Sequence, residues 1–259
     1  MTAAEPKFTL PIIEMSDWQM LPAEPQLRAW AEERGGVVLR GLPDDPSSRR
    51  AMAIANLIGN PGNSAVGISR ERANEVYEVT PSNGEVKDSR GVTLLSSTFD
   101  EIPLHTDGYN AVDPPKFLVL QVARPGAAGS TTVAALEDVV DRLSSNTAQL
   151  LSMDVYPTTT GTTPILRQDG DRIAVRFNGY EIAEHIRRDH NVLLLEPAHR
   201  LAVAELTSVL HGLGANEPRI RTNLWRGDVM VLANYRALHG RSSLDPGDRN
   251  RVLHRVWCW

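Results

Sequence analysis

The stretch Gly227–Trp259, "GDVMVLANYRALHGRSSLDPGDRNRVLHRVWCW", decides how the rest of the chain is read. Gly227-Asp228 opens it as a turn, and "VMVLAN" has the short apolar composition of a buried strand. His239 lies just beyond that strand, between Leu238 and Gly240. A connection rich in turn formers, "SSLDPGD", then leads to a last strand, "RVLHRVW", residues 251–257. Side chains alternate faces along a strand, so Arg251 and Arg255 point the same way with Leu253 between them. His254 falls on the opposite face and reads as a packing residue. Two inward guanidiniums on a core strand are costly unless they meet anions.

The same texture extends upstream. "KFLVLQVA" (116–123), "TTVAAL" (131–136), "RIAVRF" (172–177) and "NVLLLE" (191–196) are short apolar or alternating runs separated by Pro, Gly, Asp and Asn. Nearer the start lie "VVLRGL" (37–42) and a short β-like "EVYEV" (75–79). Helical spacing marks 24–34, closed by Gly35-Gly36, and 49–58, closed by Gly59. Two further stretches, 136–153 and 197–213, read as helices among the strands. Strands without regular alternation with helices predict a mainly β fold, a sandwich or small barrel with helices on its outside. No fixed-period repeat and no low-complexity linker divides the chain, so residues 1–259 read as a single domain.

Composition narrows the function classes. The net charge of −5 and 23% charged residues leave no basic stripe for nucleic acid and no polybasic segment for a membrane. The stretch "MTAAEPKFTLPIIEM" lacks a signal-peptide layout, and no apolar run approaches a membrane span. The one cysteine, Cys258, excludes a disulfide framework, and a cytoplasmic location is the expectation. A small-molecule partner is expected; oligomeric state stays open.

The chemistry-bearing residues are His105 and Asp107 in Phe99–Pro115, "FDEIPLHTDGYNAVDPP". In an extended chain they share a face, with Thr106 on the other. Such a pair is weak evidence alone, because chance supplies about one His-x-Asp/Glu in a chain with 7 His and 32 acidic residues. Joined by His239, the set becomes two imidazoles and one carboxylate. That arrangement leaves coordination positions open and is the facial set of non-haem Fe(II) oxygenases. A keto acid would fill two of those positions and O₂ the third, with an arginine fork suited to the keto acid's far carboxylate.

The ordered set "LHTDG…PP", then "GSTT", then "NYRALHGR…R-x-x-x-R" resembles the Fe(II)/2-oxoglutarate-dependent oxygenases of the taurine dioxygenase, γ-butyrobetaine hydroxylase and clavaminate synthase group. These motifs span residues 97–257, and "GGVVLRGL" resembles that family's N-terminal strand. The resemblance implies a double-stranded β-helix, a jelly-roll or cupin-like core with flanking helices. It implies Fe(II), 2-oxoglutarate and O₂ as cofactors, with His105, Asp107 and His239 as metal ligands. Arg251, twelve residues after His239, matches the arginine that binds the 2-oxoglutarate C5 carboxylate. Thr131 matches the supporting threonine. Relatives commonly carry Gly-Gly-x-Thr where this chain has Ala128-Gly129-Ser130-Thr131, and Thr132 follows as a second candidate. The implied activity is oxidative decarboxylation of 2-oxoglutarate to succinate and CO₂, coupled to hydroxylation of an unactivated C–H bond. The substrate class is an amino acid, an amino-acid derivative or a natural-product intermediate.

Other candidates stand beside these. Arg255 has three readings: pairing with a structural carboxylate, backing Arg251, or binding an anionic group on the substrate. Arg241 is read as bracing its turn. Arg176 and Asn178 belong to a hairpin that reaches toward the pocket mouth, and Tyr109 and Asn110 line the pocket or simply form a turn. His185, His190, His199 and His211 read as surface residues. Two competing functions are a zinc-dependent hydrolase or isomerase on a cupin-like barrel, and a non-catalytic β-sandwich binding module. The first leaves Arg251 and Thr131 unexplained, and the second leaves the inward set of His105, Asp107 and His239 without purpose.

Overall fold

The apolar runs pair into two principal sheets. The structure, a computed structural model, describes residues 10–15, 21–43, 45, 47–62, 76–81, 86–87, 91–126, 130–188, 195–216, 221–245, 247 and 250–259. The larger sheet has the order Ile12–Glu14, Gly36–Arg40, Val229–Ala233, Phe117–Arg124, Val252–Cys258 and Pro61–Gly62, and Tyr77–Val79 also pairs with Val252–Cys258. Only its first pair is parallel. The smaller sheet runs Arg221–Thr222, Thr131–Ala135, Ala237–Arg241 and Ile102–His105, all antiparallel. Two hairpins, Tyr156–Thr158 with Gly161–Thr163 and Leu166–Asp169 with Arg172–Val175, stand apart. The fold is mainly β with helical flanks.

Sheet faces follow from the core. Leu118, Leu120, Met230, Leu232 and Trp257 of the larger sheet pack with Val133, Ala135 and Ala237 of the smaller one. The other face of the larger sheet carries Val37, Leu39, Val119, Val231 and Val256, which are covered by Leu27 and Ala31 of helix Glu24–Arg34 and Ile54 and Ile58 of helix Arg49–Ile58. The outer face of the smaller sheet presents Leu104, Ala134 and Leu238 to Leu206, Leu210 and Leu213 of helix Pro197–Asn216. Val229–Ala233 is buried at every position because both of its faces are covered, which is why it reads as a continuous apolar run.

Several expectations are corrected. Residues 136–153 form two short helices, Leu136–Val140 and Ser145–Leu151. Ser144 separates them by accepting a hydrogen bond from the Thr147 N–H on its own Oγ, since serine competes poorly within a helix and caps one well. The strand at 172–177 stops at Val175, and an unforeseen helix, Gly179–Arg188, begins behind Asn178, whose Oδ1 accepts from the Glu181 N–H at 3.2 Å. His239 lies beyond Val229–Ala233 as expected, but inside a further strand, Ala237–Arg241. His199 is buried at 6% exposure beneath Tyr156, not on the surface. His185 is half-buried, and His211 is exposed. "NVLLLE" falls largely outside the described residues, as does His190. His254 is buried, as its parity on the last strand required. No helix among the described residues is long and apolar enough to cross a membrane.

One glycine sets the chain's direction next to His105 and Asp107. Gly108 has φ +73°, and a Cβ there would lie 2.6 Å from Cδ of Pro115. Gly108→Ala is expected to cost at least about 1–2 kcal/mol, the penalty of a left-handed alanine before the clash is added. Urea unfolding of the metal-free protein measures it, and an unchanged midpoint would contradict this account of the turn.

Candidate active site

The site begins with register. His105 lies directly opposite His239 in the pairing of Ile102–His105 with Ala237–Arg241, so the two imidazoles share a face, ring centroids 4.5 Å apart. The strand ends at His105, so Asp107 does not arrive by simple alternation. Thr106 is held instead by Phe177: its N–H donates to the Phe177 carbonyl at 2.7 Å, and its Oγ1 accepts from the Phe177 N–H at 2.9 Å. The chain then turns, and Asp107 Oδ1 comes to 3.4 Å from His105 Nε2 and 3.7 Å from His239 Nε2. The three donor atoms lie within 4.8 Å of one another, the only such cluster of three among the described residues.

His105 and Asp107 are each oriented by neighbours. His105 Nδ1 is 2.9 Å from the Pro103 carbonyl, which can only accept, so Nδ1 carries a proton and Nε2 is the nitrogen turned toward Asp107. Asp107 Oδ2 accepts from the Trp257 indole N–H at 2.6 Å and from Arg255 Nη1 at 3.1 Å. Asn234, just past the Val229–Ala233 strand, accepts from the Asp107 N–H and donates to the Asp107 and Pro115 carbonyls, each at 2.9 Å. Burial alone would raise the Asp107 pKa, but Arg255, His105 and His239 together hold it well below the usual carboxylate range. Burial, reinforced by His105, pushes His239 down to about 3. Both imidazole Nε2 atoms face an ionised oxygen, a donor set that fits a divalent metal ion.

This cluster forms part of the wall of a cavity of about 580 Å³ that also meets Thr131, Arg241, Arg251 and Arg255. Thr131 pairs with Arg241 and Val133 with His239, so Thr131 shares the imidazole face while Thr132 opposes Gly240 on the alternate one. Burial, then Arg251, lowers the Arg241 guanidinium to about 10. Arg241 donates to the Thr98 and Asp100 carbonyls, bracing the segment that precedes Ile102–His105 rather than its own turn. Arg255 lies over the rings of Tyr77 and Trp257, at 4.7 and 5.1 Å, and pairs with the carboxylate of Asp107.

Arg176 is turned to backbone, donating to the carbonyls of Tyr109 and Ala111. It props the turn that follows Asp107. Tyr109 and Asn110 both line the cavity, but the Tyr109 hydroxyl is engaged by the Pro157 carbonyl at 2.9 Å. Asn110 donates to Glu181 Oε2 at 2.7 Å and accepts from the Thr159 N–H, which orients its amide and makes His185 Nε2 the donor to Asn110 Oδ1. Glu181, Asn234 and Trp257 were not singled out from sequence. Parity on the last strand, which places Trp257 on the face of Arg251 and Arg255, was the signal available for the tryptophan.

No curated protein matches the chain by sequence. Among solved structures, asparagine oxygenase in complex with Fe(II), 2S,3S-3-hydroxyasparagine and succinate superposes with a TM-score of 0.69 at 19% identity, over 93% of this chain and 81% of that one. The non-haem iron oxygenase OrfP in complex with Fe and alpha-ketoglutaric acid gives 0.66 at 20% identity, over 92% and 80%. The fold is thus that of the non-haem iron oxygenases. The profile of "Taurine catabolism dioxygenase TauD, TfdA family" matches residues 4–257, and the chain belongs to that family. It is an iron- and 2-oxoglutarate-dependent oxygenase, which sets aside the zinc hydrolase and the non-catalytic module.

The lowered His239 pKa sets a pH dependence for the metal-free protein. Between pH 6.5 and about 3 the unfolded chain takes up a proton that folded His239 refuses. Its contribution is therefore complete above pH 6.5 and is lost on acidification, at up to about 1.4 kcal/mol per pH unit. Asp107 acts only below its ordinary 3.8, outside the range between pH 7 and 4. Urea unfolding of EDTA-treated protein between pH 7 and 4 should show a shallower loss in His239→Gln than in wild type; equal slopes would contradict the assignment.

Proposed function

We propose that His105, Asp107 and His239 hold Fe(II) and that Arg251 and Thr131 hold the far carboxylate of 2-oxoglutarate. In this reading residues 1–259 act as one domain whose two sheets form a double-stranded β-helix. The observation that carries it is the convergence of two imidazole Nε2 atoms and one carboxylate oxygen on a cavity that also presents Arg251. When bound, the iron and 2-oxoglutarate supply the oxidising chemistry: O₂ and 2-oxoglutarate become succinate and CO₂, and one oxygen atom enters a C–H bond of the substrate.

The chain's own residues bind and orient. His105 and His239 offer neutral nitrogens, and Asp107 contributes one negative charge. Arg251 matches a carboxylate with paired donors that an ammonium does not reproduce. Thr131 is favoured over Thr132 because it shares the face of His239 and Arg241. Leu120, Leu253 and Trp257 keep the wall near these polar groups apolar, which limits water at the reacting carbon. The substrate proposed is a small amino acid or an amino-acid derivative. Support comes from the complexes of the structural relatives, which hold 2S,3S-3-hydroxyasparagine in one case and (3S)-hydroxy-L-Arg in another.

Anaerobic addition of Fe(II) and 2-oxoglutarate should produce a weak visible charge-transfer band, which His105→Ala and His239→Ala abolish. Arg251→Ala should weaken 2-oxoglutarate binding in the same titration by about 2–5 kcal/mol, with partial recovery in Arg251→Lys. No band in the wild type, or unchanged 2-oxoglutarate affinity in Arg251→Ala, would overturn this reading.

A further inference from the structure

Asp107 has two carboxylate oxygens, and the fold treats them differently. Oδ1 faces both imidazoles. Oδ2 faces away, toward two donors on the last strand: Trp257 Nε1 at 2.6 Å and Arg255 Nη1 at 3.1 Å. The terminal torsion of an aspartate is broad and nearly two-fold, so without those donors the two oxygens interchange readily. The two donors are not equivalent. Arg255 lines the cavity with a side chain that is 15% exposed, so part of its guanidinium is open to other anions there. The indole is 3% exposed, is a donor only, and does not titrate. It is edge-on to Trp259 at 6.2 Å and packs with Leu118 and Leu120 between the sheets.

We infer that Trp257 is a positioning residue for the metal: its indole N–H fixes which oxygen of Asp107 is offered to the ion and so raises metal affinity. The inference rests on the Fe(II) reading above. A neutral donor serves here where a second cation would not. It pins Oδ2 without withdrawing the negative charge that Oδ1 must share with a dication.

The test uses Co(II), a redox-stable probe, titrated into the EDTA-stripped and dialysed full-length protein, with visible absorption and calorimetry as readouts. Trp257→Phe removes the N–H. Trp257→His loses the same benzo bulk but keeps a ring N–H, because imidazole Nε2 overlays the indole nitrogen. Both variants should lose stability in the metal-free state through the cavity left behind. Only Trp257→Phe should lose affinity for Co(II), by about ten- to a hundredfold, the usual effect of removing a group that orients a ligand. Wild-type affinity in Trp257→Phe, or equal losses in both variants, would overturn the positioning role while leaving the metal site standing. Failure of the wild type to bind Co(II), or undiminished binding in His239→Ala, would sink the metal reading itself and this inference with it.

Discussion

A buried carboxylate is tolerated only when donors surround it, and much of this molecule is arranged around Asp107. The residue is 5% exposed, and its backbone and side chain are held by Asn234, Trp257 and Arg255. Asn234 extends from one strand of the larger sheet, and Trp257 and Arg255 come from another. The two imidazoles come from adjacent strands of the smaller sheet. The carboxylate therefore ties the two sheets together at the cavity wall, and the face it leaves free is the one toward the histidines.

The same geometry explains why the arginines differ although sequence presents them alike. Arg251 and Arg255 share a face, but register sets Arg255 beside the aspartate, while Arg251 lies near Thr131 where two cavities meet. Arg241, on the facing sheet, is directed to carbonyls ahead of Ile102–His105. Arg176 looked suited to a substrate but braces the turn beyond Asp107. These four arginines thus have four surroundings, and three of them, Arg241, Arg251 and Arg255, meet one cavity.

How much of this was legible in the sequence depended on range. Strand identity and parity were readable, because period-two alternation is local: it placed Arg251 with Arg255, and His254 on the opposite face. His105, Asp107 and His239 were readable as an ordered set. The break at Ser144 was missed because the apolar spacing on either side of it reads as one continuous helix. The helix at Gly179–Arg188 was missed because "RIAVRF" carried the β pattern past its true end. Asn234 and Trp257 were invisible for another reason. Their importance lies in hydrogen bonds to a turn 127 and 150 residues away, and no local pattern encodes a partner at that distance.

That separation has a consequence for assembly. Closing long loops costs chain entropy before any contact is rewarded, so sheets built on distant pairings form slowly. The turn at Asp107 is set by Phe177, Asn234 and Trp257, which lie 71, 127 and 150 residues from their partners in it. Helices and hairpins can gather early, but the aspartate is not pinned until the last strand has docked in register against Phe117–Arg124. On the proposed ligand set, iron capture would then come late in folding. Partly folded chains would carry the histidines without a fixed carboxylate, a poor trap for a redox-active metal at a stage when the cavity cannot yet contain its chemistry.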